Sequence, residues 1–465
     1  METICALATA PGGAIGIIRI SGPQALEILS RVFRGKGDVQ TFSANTIHYG
    51  HILSGTEMVD EVMVSIFHAP HSYTGEDAVE ISCHGSRYVL NKVLALLIEN
   101  GCRQAGPGEF TQRAYLNGKM DLSQAEAVAD LIASTNKATH QMAMSQLRGN
   151  FSSQLAQLRE QLLKLTSLLE LELDFSDHED LEFADRSELL DLTKTIDSHI
   201  TRLAHSFETG QSLKSGIPVA IVGKTNVGKS TLLNALLKDD RAIVSNVHGT
   251  TRDTIEDTID INGVTFRFID TAGIRQTTDE VEQIGITRTY AAIEKARIIL
   301  WLIDATPAPE ELQDMQERCS DKSLIIIINK IDKQEKDSAN KLFSNLQSLA
   351  RLCRLARPRT SHPLSISAKF GTNLNELESA IYQAANIPAL QENDVIVTNA
   401  RHYDALTRAQ AHLQRVLEGM SQNISGDLLS EDLRLTLDTL AEITGGQITP
   451  NEVLGNIFKN FCVGK

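Results

Sequence analysis

Apolar positions recur along this chain with three different patterns. Over residues 1 to about 118, short alternating runs such as "GAIGIIRISG", "EVMVSIFH" and "AVEISCHG" are separated by Gly, Pro and Asn turns. A period of two predicts strands, and "SRYVLNKVLALLIENG" reads as a helix, so this region is expected to be an α+β domain. The period then lengthens. "DLSQAEAVADLIAS" puts Ser123 and Glu126 in capping-box spacing. Leu155, Leu158, Leu162, Leu165 and Leu169 follow at intervals of three and four, the stripe of a long amphipathic helix. Leu406, Ala409, Leu413, Val416 and Met420 repeat the pattern near the C-terminus. Two helical arms therefore flank a middle segment, and the simplest packing is one bundle built from both.

The middle segment, from about Gly216 to Ala385, alternates strands with helices. "PVAIVG", "IILWLID", "SLIIIINK" and "HPLSISA" are continuous apolar runs of the kind buried in a parallel sheet. "DTIDINGVTFRFID" adds a hairpin signal at Asn262–Gly263. The expected architecture is a doubly wound α/β domain inserted into a split helical domain. Its boundaries are placed at 1–118, 119–213, 214–386 and 387–465.

Bulk properties narrow the function classes. A chain of 465 residues has room for two or three full cores. Its formal charge of −15 repels phosphate on average, so a nucleic-acid partner must be met by local basic patches or by a second protein. The densest positive run is "RLCRLARPR", with Arg351, Arg354, Arg357 and Arg359, which reads first as a solvated face. The N-terminus lacks the basic n-region of a secretory signal, and no apolar run approaches the length needed to span a bilayer. Six cysteines without CxxC spacing suit a reducing, cytoplasmic setting and argue against structural zinc.

The chemistry begins at "GKTNVGKS", Gly223 to Ser230, which fits G-x-x-x-x-G-K-S between an apolar strand and a helical run. Such a loop cradles phosphates with backbone N–H groups; Lys229 reaches the outer phosphates and Ser230 serves Mg²⁺. Asn226, Val227, Gly228 and Thr231 complete the candidate contacts. "DTAG" (Asp270, Thr271, Ala272 and Gly273) suits the magnesium and γ-phosphate end of the site. "NKID", with Asn329, Lys330 and Asp332, follows a strand, and an aspartate there can accept from guanine N1–H and its amino group. "SAK" (Ser367, Ala368 and Lys369) closes over the base. In this order, the set selects GTP over ATP.

One residue is out of place. Where many GTPases carry a water-orienting glutamine after the DTAG glycine, this chain has Ile274. The catalytic group must come from elsewhere. With these motifs the chain resembles translation-factor-like GTPases, and "GTTRDT" at Gly249 to Thr254 is similar to bacterial tRNA-modification and ribosome-assembly members. The segment Ser245, Asn246, Val247, His248, Gly249, Thr250 and Thr251 is then the first switch, with Thr251 completing Mg²⁺ coordination.

Two readings compete: a ribosome-assembly switch and a tRNA-modifying enzyme. The first usually carries a basic RNA-binding module after the GTPase domain, and no such module follows residue 385. "GIIRISG", "YTGEDAVEISCHG", "GPGEFTQRAYLNGKMDLSQAEA" and the terminal "CVGK" are instead similar to the MnmE (TrmE) family along nearly the whole chain. That resemblance implies a GTPase that adds a carboxymethylaminomethyl group to C5 of the wobble uridine of certain tRNAs. It implies Glu282 as the water-orienting group, and K⁺ at Asn226 and at the backbone of Ser245, Val247 and Thr250. It further implies an N-terminal homodimer binding 5,10-methylene-tetrahydrofolate (or 5-formyl-tetrahydrofolate) through Arg19, Glu80, Lys119 and Lys465, with Cys462 as a functional thiol. The implied partners are tRNA and an FAD- and NADH-dependent MnmG (GidA) family protein, in a heterotetramer or larger complex. This chain has no dinucleotide-binding G-x-G-x-x-G loop of its own.

Overall fold

The structure is a computed structural model that describes residues 1–174, 186–238, 257–269, 290–333, 363–388, 394–422, 424–446, 454, 457–459, 461, 463 and 464, the side chains of 171–174, 186 and 238 excepted. The candidate residues Ser245 to Thr251, Asp270 to Gly273, Ile274, Glu282, Arg351 to Arg359, Cys462 and Lys465 lie outside the described residues. The chain divides into two compact units. The first comprises Met1–Ala133, Met142–Ala204 and Ala400–Lys465; the second comprises Ser134–Gln141 and His205–Asn399.

The first unit contains a seven-stranded sheet. Its strands are β1 (Ile4–Leu7), β2 (Ile15–Ser21), β3 (Phe33–Gly35), β4 (Thr46–Ser54), β5 (Glu57–Phe67), β6 (Ala78–His84) and β7 (Arg103–Gln104). They lie in the order β3-β4-β5-β6-β2-β1-β7, antiparallel except for β1 with β7. Period-two alternation sorts the side chains by face. Ile18, Ile20, Val62, Val64, Ile66, Val79 and Ile81 are buried with Leu29 of α1 (Ala25–Val32) and Leu90 and Leu97 of α2 (Arg87–Glu99). The opposite face carries Arg19 directly across from Glu80, and exposes Ile15, Ile47, Tyr49 and Met63. A further helix, α3 (Glu109–Leu116), buries Phe110 against Ile4, Ala6 and Ala105.

The same unit holds α4 (Leu122–Ala133), α5 (Lys137–Leu147, from Met142 onward), α6 (Asn150–Asp174) and the first part of α7 (Arg186–Ser215). The leucine stripe of α6 is buried throughout. From the far end of the sequence come two long helices, Ala400–Ser421 and Gly426–Thr444, the latter packed on both the former and α6.

The start of α4 differs from the expected pattern. Asp121 Oδ1 accepts from the Gln124 backbone N–H at 2.9 Å, and Gln124 Oε1 accepts from the Asp121 backbone N–H at 3.0 Å. The capping box is thus Asp121/Gln124, because aspartate caps as well as serine and the helix starts two residues earlier. Ser123 donates instead to Asp121 Oδ1. Glu126, freed from capping, is buried between Arg401 Nη2 at 2.9 Å and His402 Nε2 at 2.6 Å.

The second unit is built on β8 (Ile217–Val222), β9 (Asp257–Ile261), β10 (Val264–Phe268), β11 (Ile298–Ile303), β12 (Ser323–Ile328) and β13 (Leu364–Ser365). The order is β13-β12-β11-β8-β10-β9, parallel except for the β9–β10 hairpin. That hairpin turns at Asn262 and Gly263, with φ of 54° and 79°, as a two-residue turn requires. Helix α8 (Lys229–Lys238) follows β8; α9 (Pro309–Arg318) and α10 (Leu374–Ala384) are further helices of this unit, and the helices near the C-terminus are α11 (Ala400–Ser421) and α12 (Gly426–Thr444). From β8 the chain winds first to one side and later to the other. The loop after β8 therefore sits at the switch point, where such sheets bind ligands.

The Glu126 cluster yields a prediction. Burial pushes its carboxyl up, but hydrogen bonds and charges from His402 and Arg401 outweigh this and bring it down to about 2. A depressed carboxyl stabilises the fold above its unfolded value near 4.5, and that stabilisation is lost as pH falls toward 2. At 1.36 kcal/mol per pH unit the contribution is on the order of 3 kcal/mol. Thermal melts of wild type and Glu126→Gln should diverge above pH 5 and converge as pH approaches 2. Parallel curves across that window would contradict this assignment.

Candidate functional site

The phosphate loop forms where a buried strand must turn sharply into a helix. Gly223 and Gly228 have φ of 151° and 105°. A Cβ on Gly228 would run into Asn329 Nδ2, so only glycine fits there. Asn226 adopts the left-handed conformation, φ 61°, which asparagine tolerates better than most residues. Its backbone oxygen accepts from Lys330 Nζ at 2.6 Å, while its side-chain amide makes no hydrogen bond among the described residues. Lys229 Nζ donates to Gly223 O at 2.6 Å and to Lys224 O at 2.8 Å, and burial pushes its ammonium below the ordinary lysine range. Ser230 and Thr231 stand in the first turn of α8.

Asn329 is 2% exposed and joins three loops. Its Nδ2 donates to Val227 O at 2.8 Å, and its Oδ1 accepts from the Ala368 backbone N–H at 3.1 Å. Ser367 Oγ donates to Asp332 Oδ1 at 2.6 Å, and Lys330 pairs with Asp304 at 2.8 Å. The "NKID" and "SAK" segments and the phosphate loop are thus one hydrogen-bonded assembly. Lys369 lies beside them with its ammonium over the Phe370 ring. Sequence reasoning placed Asn329 among the nucleotide contacts but missed its tie to the phosphate loop and missed Asp304. Among the described residues no group of three or more His, Cys, Asp or Glu side chains is arranged to hold a metal ion.

The first unit has a separate cavity of about 230 Å³, lined by Arg19, Ser21, Phe67, Tyr73, Thr74, Ala78, Glu80 and Phe110. Arg19 donates to Glu80 Oε1 from Nε at 2.9 Å and from Nη2 at 2.6 Å. Its third nitrogen, Nη1, donates to Gly464 O at 3.3 Å, and Val463 bridges to Pro107, which brings the C-terminal tail to the cavity. Gly464 has φ 95°, and a Cβ there would run into Leu7 O. The glycine of the terminal motif is therefore required by close backbone approach. Lys119 is not a lining residue; its Nζ donates to Pro70 O at 3.0 Å. Burial pushes the Tyr73 hydroxyl above its ordinary range, although its bond with Thr111 and the charge of Arg19 oppose this. The "YTGED" segment, read only as a signature, supplies Tyr73 and Thr74.

A phosphate loop after the central strand of a parallel sheet, tied to N-K-x-D and S-A-K loops, defines a P-loop protein of the GTPase class. The family model described as the MnmE helical domain matches residues 122–462, and that of the GTP-binding protein TrmE N-terminus matches residues 3–119. The chain belongs to the MnmE family. A relative from Bacteroides thetaiotaomicron, described as tRNA modification GTPase MnmE, is 52% identical over 100% of this chain and 99% of its own. One of the same description from Bacteroides fragilis is 53% identical over the same shares. The solved structure of a point variant of Aquifex aeolicus Era bound to GDP.AlF4- is 31% identical, with 42% of this chain and 66% of that one covered, but its TM-score of 0.27 carries no structural argument.

The Asn329 tie can be tested directly. Asn329→Ala leaves the buried Val227 carbonyl and Ala368 N–H unsatisfied, at about 1–3 kcal/mol each. Calorimetry should show the second unit melting several degrees lower, with weakened GDP binding. Unchanged melting would contradict the role assigned to this amide.

Proposed function

We propose that this GTP hydrolase of tRNA modification couples GTP hydrolysis to a one-carbon transfer at the wobble uridine, whose product carries a carboxymethylaminomethyl group on C5. The observation that carries the reading is the presence, in one chain, of the three-loop nucleotide assembly and a half-buried Arg19–Glu80 cavity at which the C-terminal tail arrives. Residues 1–118 bind the reduced folate and pair two copies, 119–213 and 387–465 form the helical domain, and 214–386 form the GTPase domain. The protein acts in the cytoplasm with an FAD- and NADH-dependent partner of the MnmG family. No described helix is long and apolar enough to cross a membrane. The exposed apolar sheet face of Ile15, Ile47, Tyr49 and Met63 suits a homodimer.

In the nucleotide site, backbone N–H groups of Asn226 to Thr231 receive the phosphates, and Lys229 exchanges its two loop carbonyls for phosphate oxygens. Asp332 accepts from the guanine edge, oriented by Ser367. Ser230 and Thr251 would hold Mg²⁺, which neutralises developing phosphate charge. The hydroxyl of Ser230 in the first turn of α8 suits such a site, because P-loop magnesium uses few protein ligands and no carboxylate cage. The Asn226 amide, which makes no hydrogen bond among the described residues, suits K⁺, with backbone oxygens of Ser245, Val247 and Thr250 completing the set. Glu282 orients the attacking water in place of the absent glutamine, and the apolar Ile274 is then no defect.

In the cavity, the Arg19–Glu80 pair fits a reduced folate by the chemistry of its donors: the carboxylate accepts from the pterin edge and the cation draws carboxylates. Lys119 and Lys465 would meet the folate tail, and Cys462 would lie close by on the tail that Gly464 anchors.

Two outcomes test the reading. GTP hydrolysis should be much faster in KCl than in NaCl at equal ionic strength, and Glu282→Ala should lower turnover about a hundredfold with little change in nucleotide affinity. Equal rates in the two salts, or turnover within twofold of wild type, would remove these assignments. Cys462→Ser should leave potassium-stimulated hydrolysis near wild type while tRNA modification falls steeply, since thiol and hydroxyl differ chiefly in nucleophilicity. Full modification by the serine variant would reduce Cys462 to packing.

A further inference from the structure

The wall of the N-terminal cavity fixes the direction of its own protons. Ser21 and Thr74 both line it, and they are 0% and 1% exposed. Ser21 Oγ donates to Glu76 Oε2 at 2.8 Å and lies 2.7 Å from Thr74 Oγ1. A hydroxyl has one hydrogen and two lone pairs. Ser21 has spent its hydrogen on Glu76, so Thr74 is the donor in the Ser21–Thr74 contact. Thr74 Oγ1 also accepts from the Glu76 backbone N–H at 3.3 Å. Each oxygen then retains one lone pair, and neither has a hydrogen left for the cavity.

That direction depends on Glu76 remaining an acceptor. Arg113 secures it: its Nη1 donates to Glu76 Oε2 at 3.0 Å and Oε1 at 3.2 Å, and its Nη2 to Glu109 Oε1 at 2.9 Å. The Arg113 side chain is 4% exposed, so the pairing is shielded from water. Across the cavity, both bonds from Arg19 fall on Glu80 Oε1, and Oε2 has no hydrogen-bond partner among the described residues. Three acceptors therefore serve a space walled by Phe67, Tyr73 and Phe110. At about 230 Å³ the cavity is smaller than the roughly 300–1,000 Å³ of pockets that enclose a whole drug-sized ligand, so it suits one ring system.

We propose that Ser21 and Thr74 are specificity-determining hydroxyls that read the N–H donor edge of a planar bicyclic ring, the pterin of the reduced folate, and that Glu76 and Arg113 are positioning residues that hold both hydroxyls as acceptors. This rests on the folate reading given above and adds the group that discriminates. A ring lacking the donor meets two buried lone pairs with nothing to satisfy them. An anionic group is rejected at this wall, because no hydrogen faces it.

The test pairs protein variants with ligand variants, using full-length protein and equilibrium binding of 5-formyl-tetrahydrofolate and its 2-desamino-2-methyl analogue. Wild type should bind the parent at least tenfold more tightly. Thr74→Val should weaken the parent about tenfold, one hydrogen bond's worth, and barely affect the analogue, so that the ratio narrows. Thr74→Ser, which keeps the hydroxyl, should restore the wild-type ratio. Glu76→Gln, whose amide can donate to Ser21 and free its hydrogen, should narrow the ratio as well. Should valine not be accommodated, Thr74→Ala makes the same measurement. A ratio unchanged in the Thr74 and Glu76 variants, with the parent bound by wild type, overturns this inference alone. Wild type that binds neither compound overturns the folate reading and the inference with it.

Discussion

The first unit depends on one buried carboxylate. Glu126 sits near the N-terminal end of α4, and the groups that pair with it, Arg401 and His402, stand at the start of α11. An unpaired carboxylate in that position would cost several kcal/mol, so the chain returns to it after the whole inserted unit. Arg401 Nη1 and Nη2 also donate to Glu442 O and Ile443 O, which fixes the end of α12 against the start of α11. With both C-terminal helices set, Leu454 and Phe458 pack on Leu122 and Ala125, and the tail reaches β1 and the Arg19 cavity. The cavity's composition thus follows from an ion pair whose partners are far apart in sequence.

Within the second unit a neutral side chain has the corresponding role. Asn329 provides a donor to one loop and an acceptor to another, and both bonds are buried. A charged residue there would carry a desolvation cost, and an apolar one would leave two backbone groups unpaired. The amide satisfies both at once. Asn329 thus links all three candidate nucleotide loops, and Lys330 with Asn226 and Ser367 with Asp332 add further ties between them.

Local features were the most legible in the sequence. The hairpin at Asn262–Gly263, the leucine stripe of α6 and the phosphate loop all follow from period or turn chemistry within a few residues. The predicted strand over "HPLSISA" shrank to Leu364–Ser365, which among the described residues pairs on one side only, at the edge of the sheet. The capping box at Ser123 and Glu126 was a correct pattern in the wrong register, since Asp121 competes for the same backbone donors. Less visible were the long-range pairs. Nothing near Arg113 indicates that it clamps Glu76, and nothing near Glu126 indicates Arg401, because a pairing across many residues leaves no local period. Ser21 and Thr74 were missed for the same reason: small hydroxyl residues are common at strand ends, and only the fold shows that their hydrogens point into the wall.

The two units carry different chemistry: a phosphate loop in one, and in the other a cavity of acceptors beside a cation, which we propose receives the one-carbon donor. The most direct measurement is nucleoside analysis of tRNA from cells lacking this protein, with ribosome profiles from the same cells. The account predicts loss of the carboxymethylaminomethyl group from the wobble uridine and normal ribosomal subunits. A normal wobble uridine alongside defective subunits would contradict it and favour a ribosome-assembly switch.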